Sequence, residues 1–114
     1  MEFDKPKNLD ELIDLQSFRT KVAMYIGEKK ISVLAGFFNG WDFCLNCHEI
    51  KEQRLSPVSR EFSDFVAKHF GWFESTAGWK NIILKESEGD EAKAVEEFFE
   101  LYDEYRKKSL FKQN

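Results

Sequence analysis

The chain has 114 residues, 42% hydrophobic and 16% aromatic, with a formal net charge of −4. That is enough apolar material for one domain to bury a real core, and six Gly with two Pro argue against disorder and against a turn-rich β-sandwich. An acidic chain lacks the basic surface that nucleic-acid phosphates require, no run approaches the ~18 consecutive apolar residues of a membrane span, and MEFDKPKNLDELIDL has no signal-peptide apolar run, so a cytoplasmic protein is expected.

Asn8 can cap a first helix with Glu11 as its partner three residues on. Leu9, Leu12 and Ile13 form its apolar face, with Leu15 and Phe18 widening it. Residues 21–27 read as an extended connection, with Gly27 able to turn the chain. A second helix begins near Lys30 or Ile31. One stripe is Ile31, Leu34, Ala35, Phe38, Trp41, Leu45 and His48; a second is Val33, Phe37, Gly40, Cys44 and Cys47. Two adjacent stripes predict a central, mostly buried helix, in which Gly36 and Gly40 would admit a close neighbour.

Residues 51–56 read as a polar loop, and Ser56-Pro57 as the start of a third helix, a capping hydroxyl followed by Pro at the first helical position. Phe62, Phe65, Val66 and His69 form its inner face, and Gly71 ends it. A short helix carries Trp79, Ile82 and Ile83. Asp90 then caps a last helix, with Val95, Phe98, Phe99, Tyr102 and Tyr105 facing inward. Lys93 with Glu97, Asp103 with Lys107 and Glu104 with Lys108 are i,i+4 pairs. No segment alternates with period two, so the fold predicted for residues 1–114 is a single-domain, all-α bundle of four long helices plus one short helix.

Charge is unevenly spread. Residues 86–104 hold nine acids and one base, a net −8, which leaves +4 for the rest of the chain. Such polarity steers a basic partner, and it is equally the mark of a solvated outer helix face.

Cys44-Leu45-Asn46-Cys47-His48 has the C-x-x-C-H spacing of c-type haem attachment. Haem attachment needs accessible thiols, export and an axial partner, yet the pentad lies late in an aromatic-rich helix. His69 would complete four soft ligands for zinc, but only one pair has metal spacing. A thioredoxin-like pair would need a βαβ context. The pentad is therefore expected to be core packing, free Cys being among the most buried residue types. No phosphate loop or nucleophile elbow occurs. The expectation is a protein that is not an enzyme and carries no cofactor.

Two stretches carry a resemblance. MYIGEKKISVLAGFFNGW (24–41) resembles the R-P-x-M-Y-L-G-x-x-S-I-x-x-L-x-x-F-L-x-G-Y opening of small bacterial immunity proteins found beside polymorphic toxins, including those of contact-dependent growth inhibition. STAGWKNIILKESEGDEAKAVEEFFELYDEYRK (75–107) resembles their ending: Gly-Trp, an apolar triplet, Gly-Asp-Glu and an F-F-x-L-x-D-E-Y/F helix. Val22 stands where those proteins have proline. The resemblance implies a cytoplasmic immunity protein whose partner is a cognate toxin domain, often a nuclease with a basic substrate groove. The surface it would offer is the −8 segment: Glu86, Glu88, Glu97, Glu100, Asp103 and Glu104, with Asp42 and Glu49 as a second choice. The alternatives are a small haem- or metal-binding protein using Cys44, Cys47 and His48, or a protein-interaction adaptor unrelated to toxins.

Overall fold

The computed structural model describes residues 6–49 and 56–112, and among them it has seven helices and no strand. The all-α expectation holds. The chain divides into more pieces than four long helices and one short one, and the extra divisions fall near the N-terminus.

Helix α1 (Leu9–Asp14) starts as expected: Asn8 Oδ1 accepts from Glu11 N–H at 2.9 Å, and Leu9, Leu12 and Ile13 are buried. It stops at Leu15, whose backbone is extended, and α2 (Gln16–Thr20) follows. In one continuous helix Phe18 would lie roughly 140° around the axis from Ile13. The break turns Phe18 back into the core, where it is fully buried. Arg19 Nε holds the break by donating to the Ile13 carbonyl at 2.6 Å. The predicted extended connection is instead a third short helix, α3 (Val22–Ile26), with Val22 inward and Met24 and Tyr25 outward. Gly27 ends it at φ +100°, a region that favours glycine.

Helix α4 (Ile31–Cys47) lacks a side-chain cap of its own. Its first turn is capped from α7 (Glu91–Lys112), where the Glu91 carboxylate accepts from the Ser32 N–H at 3.2 Å and from its hydroxyl. Only the first half of α4 is buried, through Ile31, Leu34, Ala35 and Phe38. Ser32 meets Glu91 and Phe38 meets Phe98, so α4 and α7 start side by side and run the same way. From Tyr102 onward α7 packs instead on Phe62 of α5 (Arg60–His69). Beyond Trp41, which still packs against the edge of the core, the end of α4 stands outside it as a result. Gly36 and Gly40 admit no close neighbour, since a Cβ on either would meet nothing within 4 Å.

The polar loop predicted at 51–56 lies, except for Ser56, outside the described residues. Helix α5 begins three residues later than Ser56-Pro57 predicts. Ser56 Oγ accepts from Val58 N–H at 3.2 Å to make a turn, and Ser59 Oγ caps the helix by accepting from Phe62 N–H at 3.2 Å. Two serines competed for the cap, and the one that buries Phe62 won. Gly71 ends α5 in the expected way: at φ +73° it lets Trp72 N–H reach the Ala67 carbonyl at 2.8 Å. Helix α6 (Trp79–Glu86) buries Trp79, Ile82 and Ile83. Asp90 caps α7 by accepting from Lys93 N–H at 3.0 Å.

All five predicted inward residues of α7 are buried. Its middle is the centre of an aromatic cluster, with Phe98 within 6 Å of the rings of Phe38, Phe62, Trp79, Phe99 and Tyr102. The α5 inner face is as predicted at Phe62 and Val66, but Phe65 is only half-buried and His69 is exposed.

Candidate interaction surface

The solvent side of α7 divides into two rows. Glu96 and Asp103 lie two turns apart and face the N-terminal helices. Glu97, Glu100 and Glu104 follow one another at i, i+3 and i+7 along a second row, Glu100 and Glu104 exposed and Glu97 half-buried.

The inner row is committed to the fold. Asp103 accepts from both terminal guanidinium nitrogens of Arg19, at 2.8 and 2.7 Å, and a third bond from Arg106 at 2.7 Å. Arg106 also donates to Asp10 at 3.3 Å and to Asp14. The Tyr102 hydroxyl donates to Asp10 at 2.9 Å. Arg19 lies over the Phe99 ring and Arg106 over the Tyr102 ring, each at 5.0 Å. Two arginines and three aspartates thus clasp α1 and α2 to α7. The Arg19 hydrogen bond holds the Asp103 carboxyl below its usual range, against desolvation, with Arg106 adding to the effect. Burial pulls Arg106 down, but its bonds to Asp14 and Asp103 and the Asp10 charge more than reverse this. Glu96 makes an ion pair with Lys29.

Of the six predicted partner-binding residues, Asp103 is therefore occupied within the chain. Glu86 accepts from the Trp72 indole N–H at 2.8 Å while remaining exposed. Glu104 lies 3.9 Å from His69 Nδ1. Glu97 and Glu100 form no salt bridge with any described residue, and neither does Glu88. The predicted i,i+4 pairs with Lys93, Lys107 and Lys108 do not close; Lys108 sits over the Phe65 ring at 5.3 Å instead. Glu100 also borders a 380 Å³ groove with Gln16, Arg19, Thr20, Lys29, Glu96 and Phe99. Sequence reasoning missed that groove, because its walls come from segments about 80 residues apart. The second-choice acids are less prominent: Asp42 is half-buried and accepts from Asn46 at 3.4 Å, and Glu49 is exposed at φ +57°.

Glu88 follows the Ser87 cap of α6 in the left-handed region at φ +56°, where a side chain clashes with its own backbone. Glu88→Gly is expected to raise stability by about 1 kcal/mol, read as a higher urea midpoint at unchanged slope.

The cysteine expectation needs correction. Cys44 and Cys47 are both exposed free thiols, and His48, at the end of α4 as predicted, is exposed too. Their stripe continues that of Val33 and Phe37, but the helix has left the core before reaching them. Among the described residues no three His, Cys, Asp or Glu are grouped to hold a metal ion. No helix among them is long and apolar enough to cross a membrane. The exposed apolar side chains Met24, Tyr25, Phe43 and Phe73 lie on three different segments, as isolated surface residues commonly do. Comparison of the chain with protein-family models, curated proteins and solved structures finds no match.

Proposed function

We propose that the chain is a non-catalytic, cytoplasmic immunity protein that neutralises a cognate toxin domain, a nuclease, by covering its basic groove. The observation that carries this reading is the second row of α7. Glu97, Glu100 and Glu104 lie on one face of a helix held rigid by its aromatic underside and by the arginine clasp. Carboxylates fixed on a rigid element give a partner a preorganised negative field at little ordering cost. The resemblance at 24–41 and 75–107 supplies the toxin-directed role. Glu86 and Glu88, at the adjoining α6–α7 corner, extend the surface, while Asp103 supports it from beneath by anchoring α7.

The test is to mix the purified protein with the toxin domain encoded beside it. A tight complex and loss of toxicity are expected. The Glu97→Lys/Glu100→Lys variant should keep its melting temperature, because neither residue makes a salt bridge within the described fold. Its association rate at low salt should fall about tenfold to a hundredfold, with a shallower salt dependence. Unchanged association would place the interface elsewhere. A complete lack of complex formation by the wild type would reject the immunity role.

A further inference from the structure

The C-x-x-C-H pentad is not used by the core, and the proposed interface does not involve it. Cys44 and Cys47 are one turn apart at the end of α4, both exposed and both free. Residues at i and i+3 on a helix have Cβ atoms about 5–6 Å apart. A disulfide needs about 3.5–4.5 Å between Cβ atoms, so closing one would unwind the turn. Two sulfurs bound to one soft ion can be much farther apart. With metal–sulfur bonds of about 2.3 Å, as in zinc thiolates, a linear arrangement separates them by about 4.6 Å, a span that an intact helical turn accommodates.

Which ion fits follows from the donor count. Zinc takes four ligands in structural sites, and no third donor is grouped with the thiols among the described residues. Thiolate pairs select soft ions such as Cu(I), which is satisfied by two sulfurs. We infer that Cys44 and Cys47 form a surface two-thiolate site for a soft monovalent cation of the Cu(I) class. Binding exchanges two thiol protons, released to the buffer, for one Cu(I); no electron is transferred.

The probe is Cu(I) held as its bicinchoninate complex under ascorbate. The wild-type protein should remove one equivalent of Cu(I) per chain, bleaching the visible band of the complex, and its two dithionitrobenzoate-reactive thiols should both become protected. Cys44→Ser and Cys47→Ser, at exposed positions the core does not use, should each weaken binding at least tenfold with unchanged helical circular dichroism. His48→Ala should bind within about twofold of wild type. No transfer to the wild type would overturn the assignment. So would full binding by either single-cysteine variant, loss of binding in His48→Ala, or one Cu(I) shared between two chains on a sizing column.

Discussion

Phe98→Ala is expected to destabilise the protein by about 3–5 kcal/mol, the range for removing a large buried aromatic. Phe98 is fully buried and lies among five other aromatic rings drawn from α4, α5, α6 and α7. Its loss leaves a cavity at the point where those helices meet, and stiff neighbouring rings collapse into such a space poorly. It also removes ring-edge contacts worth about 0.5–1.5 kcal/mol per pair. Phe98→Leu keeps most of the volume and should cost less than half as much. Urea unfolding followed by tryptophan fluorescence reads both variants, since Trp79 lies 4.9 Å from the Phe98 ring. A loss below about 1 kcal/mol for Phe98→Ala, well under the usual range for such a truncation, would show that the helices do not converge there.

Arg106→Ala should be nearly as damaging. The Arg106 and Asp10 side chains are 14% and 15% exposed, so their ion pair lies between the surface and buried cases. Surface pairs contribute about 0–1 kcal/mol, and removing one partner of a buried pair costs about 3–5 kcal/mol, so a loss of about 2–3 kcal/mol is expected here. Asp10, Asp14 and Asp103 would then face one another with only Arg19 to balance them, and Tyr102 would lose the guanidinium over its ring. Arg106→Lys restores the charge but cannot reproduce the fork that reaches three carboxylates, so it should recover only part of the loss.

The same clasp sets a pH dependence. The folded-state pKa of Asp103 is lowered, so its contribution is present above the ordinary carboxylate pKa of about 4 and is lost as pH falls through the lower folded value. Burial, then the charge of Asp10, pushes the Tyr102 phenol far above its usual range. A raised pKa favours the neutral phenol in the fold, so that contribution is complete below about pH 10 and fades as pH rises beyond it. Melting temperatures across pH 2–11 should therefore fall at both ends. Asp103→Asn should flatten the acid limb and Tyr102→Phe the alkaline one.

The clasp also refines the proposed interface. Its three aspartates contribute to the negative composition of the chain, but Arg19 and Arg106 offset most of their charge locally. The field a partner meets comes mainly from acids with no cationic partner among the described residues, Glu86, Glu88, Glu97 and Glu100, with Glu104 beside His69. A segment's formal charge therefore overstates its reach wherever some of its acids, here Glu96 and Asp103, have internal cationic partners.

What the sequence determined by itself is local. Helical periodicity placed Phe62, Val66, Trp79, Ile82, Ile83 and the whole underside of α7 in the core, and Asn8, Asp90 and Gly71 marked helix ends, because caps and apolar faces depend on residues within one or two turns. Tertiary structure decided everything that required knowing what lies opposite. The break at Leu15 exists because Phe18 must reach a core set by α4 and α7. The thiols are exposed because α5 takes the place beside α7 that the second half of α4 would need. Asp103 is bound to Arg19 from 84 positions away, whereas Glu97 and Glu100, in the same acidic run, form no salt bridge with any described residue. Periodicity identifies the apolar side of a helix, but only the packing of its neighbours determines how far along that side remains covered.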